Sequence, residues 1–293
     1  MRITSRMMVD QSIERMNEAR ELLATFQARA STGKQFQNVS DNPNAATTSL
    51  GLRSSLSQNQ DYLDSMHVSA DWLDATEAAF SQMVEIGTKA LNLTKQGLSD
   101  TLGAAERVNL AQDIDSLLQG AVEAGNASHR GEFLFAGFAI NTTPYTYTAA
   151  GVVNNLATTA GPIQHALGNG QTLTVSTDGN TTFSPLFQTL TAVRDALNAN
   201  DPVALATALG GLKTATDGVS AARSVSGGRM RQLQAAMDRL DKTQLTLKEL
   251  LSHNQDANLA EAISQMKLQE TVYQTVLEVS SRVLPSSLFD FLR

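Results

Sequence analysis

The chain has 293 residues, with 22 Lys and Arg against 29 Asp and Glu for a formal net charge of −7, and no cysteine. Disulfide frameworks and cysteine metal sites are thereby excluded, and an acidic chain is poorly suited to coating nucleic acid or anionic lipid, which bind basic surfaces through counterion release. With 1 Trp, 4 Tyr and 10 Phe, any core must be built from Ala, Leu, Val and Met, a composition that suits thin helical bundles.

In chain order, the segment from Met1 to Val9 carries Arg2 and Arg6 but leads into the mixed sequence Asp10 to Glu14, so no cleaved signal peptide is expected. Val9, Ile13, Met16, Leu23, Phe26 and Ala30 line one face of a helix that should end near Gly33. At Asp41-Asn42-Pro43 a second helix should start, because Asp or Asn caps free N–H groups and Pro fits the first turn. Leu56, Leu63, Ala70, Glu77, Val84, Leu91 and Leu98 recur at every seventh position, with Met66, Leu73, Phe80, Gly87 and Thr94 in the second seam position. This spacing predicts one long coiled-coil-like helix ending at a turn over Ser99 to Gly103. Val108, Leu110, Ile114, Leu117, Leu118 and Val122 then predict an antiparallel partner running to about Ser128.

The character changes at Gly131. Glu132-Phe133-Leu134-Phe135-Ala136-Gly137-Phe138 is aromatic, and a β-hairpin is expected near 131–138. From Ile140 to Thr182 the only charged residue is Asp178; Tyr145 to Thr148 and Thr172 to Val175 alternate with period two, and glycines supply turns. A small β-rich insertion is expected there. The same stretch is broken by Asn, Thr, Gly and Pro, so no membrane span is expected. Leu186, Leu190, Val193 and Leu197 restore a helical pattern that stops at Asn200-Asp201-Pro202 and resumes through Leu205, Leu209, Leu212 and Val219. After Gly227-Gly228 a further long helix is marked by Leu233, Leu240 and Leu247, and Leu259, Ile263, Met266, Val272, Val276, Val279 and Val283 form a last apolar face, followed by Leu288.

A search for chemistry finds little. His67, His129, His165 and His253 have no metal-ligand spacing, and neither a HExxH sequence nor a Gly-rich phosphate loop occurs. His129-Arg130-Gly131-Glu132 reads as a helix end entering a hairpin, and Met66, Met83, Met237 and Met266 read as packing. No catalytic, cofactor-binding or metal residue is assigned, and no enzyme activity is expected. Both ends of the chain, by contrast, are amphipathic helices, and isolated helices are marginal in water unless their apolar faces find a partner. Bases outnumber acids over residues 1–40 and acids outnumber bases over 255–293, so the ends suit each other or other copies.

Three stretches go beyond pattern. The run from Ala28 to Ala46, with Ser31-Thr32-Gly33 and Ser40-Asp41-Asn42-Pro43-Asn44-Ala45, resembles the N-terminal signature of the bacterial flagellin family. Asp256-Ala257-Asn258-Leu259-Ala260-Glu261-Ala262 is similar to the start of that family's C-terminal helix, and Gly131 to Gly137 followed by Thr143-Pro144-Tyr145 resembles its hook–filament junction members, with Phe133 where Tyr is commoner. The resemblance implies a mainly α fold, a long antiparallel coiled-coil-like bundle formed by both chain ends with a small β-rich inserted domain. It implies an inner terminal-helix domain (1–42 with 255–293), a middle helical domain (43–139 with 183–254) and an outer insertion (140–182).

The function implied is structural: a ring between hook and filament, outside the cell, reached by type III export without a cleaved signal peptide. Implied partners are copies of itself, the first hook-associated protein, flagellin and an export chaperone, with no nucleic acid, no membrane insertion and no cofactor. The residues expected to carry assembly are Val9, Ile13, Met16, Leu23, Phe26, Ile263, Met266, Val276, Val279 and Leu288. A flagellin filament subunit and a secreted coiled-coil translocator or effector remain alternative readings.

Overall fold

The structure, a computed structural model, describes residues 5–156, 161–168 and 170–290. Among them are six helices, α1 (Ser5–Thr32), α2 (Pro43–Gly97), α3 (Ala104–Gly125), α4 (Gly179–Asn198), α5 (Pro202–Gln255) and α6 (Leu259–Asp290). Six short strands lie between α3 and α4: β1 (Ser128–His129), β2 (Glu132–Phe133), β3 (Tyr145–Thr148), β4 (Gly151–Asn154), β5 (Gln164–Gly168) and β6 (Gln171–Thr174). They pair only as neighbours, in three separate antiparallel hairpins. The fold is therefore mainly α with a small β-rich insertion. It divides into two compact units, Met1–Gln58 with Thr243–Arg293, and Asn59–Lys242.

In the second unit, the second seam position of α2 is its more buried face: Met66, Leu73, Phe80, Gly87 and Thr94 are all buried, whereas in the first line Leu63 is buried and Ala70, Glu77, Val84 and Leu91 are half-buried. Ile114, Leu118 and Ala121 of α3 and Leu186, Leu190 and Leu197 of α4 share the core cluster with Phe80 and Met83. α3 stops at Gly125, three residues before the expected Ser128, because Asn126 turns out of the helix. Asn126 Nδ2 donates to Tyr145 O at 2.8 Å and its Oδ1 accepts Tyr145 N at 2.9 Å, so the end of α3 clamps the start of β3.

The hairpin expected near 131–138 lies earlier. Its strands are β1 and β2, and its turn is Arg130-Gly131, both with positive φ (53° and 87°). The stretch that follows is core instead of strand: Leu134, Phe135 and Ala136 are almost wholly buried. The Phe135 ring packs edge-on against Phe183 at 4.6 Å and against Phe80 at 5.5 Å, distances at which the ring quadrupoles attract. Tyr145 extends the stack to Phe187 at 4.9 Å. A Cβ at Gly179 would fall 2.6 Å from Tyr145 Oη and 2.7 Å from Phe135 Cβ, so glycine is what lets α4 begin against these rings. Asp178 caps that start, accepting Asn180 N at 2.9 Å.

A second difference concerns Gly227-Gly228, where the sequence reading divides one helix from the next. α5 runs unbroken through both glycines. It starts as expected at Asp201-Pro202, with Asp201 Oδ1 accepting Val203 N at 2.9 Å and Ala204 N at 3.0 Å. Buried Val219 and Ser226 before the pair, and Leu233 and Ala236 after it, hold the helix on its neighbours across the weak point.

Candidate assembly interface

The first unit is organised where two connections cross. Gly33, with φ +67°, ends α1 in the left-handed conformation that glycine adopts without strain. Lys34 then pairs antiparallel with Asp256: Gln35 N donates to Gln255 O at 2.8 Å, and Ala257 N donates to Gly33 O at 2.7 Å. The chain next folds over Asp41, whose Oδ2 accepts Asn38 N at 3.0 Å and Gln37 N at 3.1 Å. Those two backbone donors favour the ionised form and hold the Asp41 carboxyl below its ordinary range.

In this unit α2 and α6 each start on a cap. Asn42 Oδ1 accepts Ala45 N at 3.1 Å, with Pro43 in the first turn of α2. Asn258 Oδ1 accepts Ala260 N at 3.2 Å at the start of α6. The end of α5 is fastened to the beginning of α2, since Asn254 Nδ2 donates to Ala45 O at 2.8 Å and to Ser49 Oγ at 2.9 Å, and Arg53 Nη2 donates to Gln255 Oε1 at 2.8 Å. The residues singled out between Ala28 and Ala46, and between Asp256 and Ala262, are thus the turns and caps of one junction.

From this junction α1 and α6 pack along each other in opposite directions. On α1 the half-buried Val9, Met16, Leu23 and Phe26 and the buried Ala19 follow the alternating three- and four-residue spacing of a coiled-coil seam. On α6 the corresponding row is Ala262 and Ser280, both buried, with half-buried Met266, Tyr273 and Val276. The Arg29 guanidinium covers the Phe26 ring at 5.3 Å. Ile13, Ile263 and Val279 are placed differently, at 43%, 38% and 56% exposure. The side chain of Leu288 lies outside the described residues.

The expected residues therefore divide into a seam inside the chain and exposed apolar side chains on the flanks of that seam. The sequence reading missed further exposed apolar residues on these helices: Leu22, Leu268 and Leu277 are all exposed. Their signal was a second apolar line beside the first heptad line, Leu22 next to Leu23 on α1 and Leu268 with Val272 and Val279 on α6. The seam itself also holds half-buried Gln265 and Gln269.

Elsewhere, His165 Nδ1 lies in hydrogen-bonding contact with Ser69 Oγ, and burial pushes its imidazole below the ordinary histidine value. Among the described residues no three His, Asp or Glu side chains gather as a metal site would need, and no helix is long and apolar enough to cross a membrane.

Comparison with known proteins bears on this arrangement directly. Residues 3–140 match the family model of the bacterial flagellin N-terminal helical region. Flagellar hook-associated protein 3 of Escherichia coli (strain K12) is 26% identical over 147 residues, 50% of this chain and 46% of that protein. The chain thus spans about half the length of that relative. The protein of the same name from Salmonella typhimurium is 23% identical over 256 residues, covering 86% of this chain and 76% of that one. The crystal structure of Bacillus cereus FlgL superposes with a TM-score of 0.62 at 22% identity, over 69% of this chain and 99% of that one.

Proposed function

We propose that this chain, a member of the bacterial flagellin family, is the structural subunit that joins hook to filament in the bacterial flagellum. The observation that carries the reading is the division on α1 and α6 between a seam closed within the chain and exposed apolar side chains on its two flanks, which packing against another molecule would cover. Its relatives bear the name of a hook-associated protein, which favours the junction over the filament body.

In this reading, subunits form a ring through Ile13, Ile263 and Val279, with Val9, Met16, Leu23, Phe26, Met266 and Val276 setting the shape of the helix pair and Leu288 extending it. The first hook-associated protein lies on one side and flagellin on the other. Copies reach the outside of the cell by type III export with the help of a chaperone. The terminal helices make an inner domain, the remaining helices a middle one and residues 140–182 an outer one. The role is mechanical, and no catalytic step belongs to it.

Replacing Ile263 by Asp tests the assignment. At 38% exposure the side chain already meets water, so the variant should keep its helicity and its stability within about 0.5 kcal/mol. Assembly would instead bury an unpaired carboxylate, and incorporation into flagella should fail. Normal incorporation would overturn the interface. Immunogold labelling of intact flagella with an antibody to residues 141–182 places the ring: one band at the hook–filament boundary is expected, and label along the filament would mean a filament subunit.

A further inference from the structure

Beside the junction of the first unit lies a cleft of about 350 Å³, floored by buried Phe36 and flanked by Val39 and Leu50, which are 59% and 58% exposed. Lys34 and Arg53 are the only charged residues that line it, in a chain whose net charge is −7. Arg53 is held there by its hydrogen bond to Gln255 Oε1. Two cations beside an uncovered apolar notch fit an occupant that offers one apolar knob next to carboxylates.

The chain itself presents such an occupant. On α1, Asp10, Glu14, Glu18 and Leu22 stand four residues apart, and all are exposed. At that spacing they form one ridge of the helix, three carboxylates followed by a leucine. Glu14 and Glu18 lie on the side of α1 away from the seam formed by Val9, Met16 and Leu23, and Leu22 lies at its flank.

We propose that in the assembled ring the Leu22 side chain of one copy enters the cleft between Val39 and Leu50 of the next, with Glu18 and Glu14 against Arg53 and Lys34. The inference rests on the self-assembly reading above and adds to it a direction: the contact is head-to-tail, ridge to cleft, so each copy uses both surfaces and a ring can close. Opposite charges select the register, and the leucine supplies the buried apolar area.

The test uses the absence of native cysteine. Copies carrying Leu22→Cys and copies carrying Leu50→Cys are produced together in cells that lack the parent chain, and their isolated flagella are oxidised. A disulfide-linked pair containing one copy of each is expected, because docking would bring the two Cα atoms within disulfide range. Flagella that contain both variants and give no such pair would overturn the docking and leave the assembly reading standing. Failure of the unsubstituted chain to enter flagella at all would overturn both.

Charge gives an independent readout. Glu18→Arg should lower incorporation about tenfold by setting like charges against each other, and Arg53→Glu added to the same chain should restore it. Lys34→Glu provides the same rescue with the Arg53–Gln255 bond intact. Incorporation of Glu18→Arg at the parent level would overturn the proposal.

Discussion

Asp115 of α3 accepts the Tyr147 hydroxyl on both oxygens, at 2.7 and 2.6 Å, and Arg194 Nη1 of α4 at 3.1 Å. Partial burial pulls its carboxyl upward, but the hydrogen bonds from Tyr147, Arg194 and Gln119 and the Arg194 charge outweigh it, and the group sits below the ordinary range. Its folded value is therefore lower than its unfolded one. The stabilisation is complete above the unfolded value of about 4 and is lost as pH falls through the folded one. Asp115→Asn should cost about 1–3 kcal/mol at neutral pH, because Arg194, only 8% exposed, is left with Asp195 alone. Urea midpoints should show that gap at neutral pH and show it shrinking below about pH 4; a constant gap would mean that the carboxylate charge is not what holds the site.

At the scale of elements, the unbroken course of α5 through Gly227-Gly228 decides between local propensity and packing. Two helical glycines cost about 1 kcal/mol each relative to alanine, which is less than the burial of Val219, Leu233 and Ala236 returns on either side. A Cβ at either glycine would meet only an Arg231 nitrogen, at 3.8 or 3.9 Å. Replacing both by alanine should raise stability by about 1–2 kcal/mol in urea titration without changing the helical content; a loss of stability would show that the glycines serve a closer contact.

The same balance explains what was legible in the sequence. The heptad line from Met66 to Thr94, the cap at Asn42, the break before α5 at Asp201-Pro202 and the strands at Tyr145 and Thr172 could be read, because each depends on residues a few positions apart. The Phe135 core plug could not, since its partners Phe80 and Phe183 lie far off in the chain. On α1 and α6 periodicity found apolar residues but not their partners. Met16 and Ile13 lie three residues apart with nothing local to say that one meets α6 and the other meets solvent.

For the whole molecule, the distribution of buried residues sets which part holds without neighbours. The second unit encloses a contiguous core with Phe80, Met83, Ile114, Leu118, Phe135, Phe183 and Leu190 at 1% exposure or less. Among the described residues along the seam of α1 and α6, the buried members are Ala19, Ala262 and Ser280, small side chains whose burial contributes little, and the larger ones are half-buried. Two long helices joined by so thin a seam open locally at far lower cost than the core unfolds, and proteases cleave the open form in proportion to its population. Brief trypsin treatment of the purified monomer should therefore cut first within α1 and α6, at Arg15, Arg20 or Lys267, while a fragment close to residues 59–242 persists, as mass spectrometry of the digest would show. In assembled flagella the exposed apolar side chains of α1 and α6 would be covered and the same sites should survive. Equal cleavage of α1 and α6 before and after assembly would mean that neighbouring copies do not supply the missing burial.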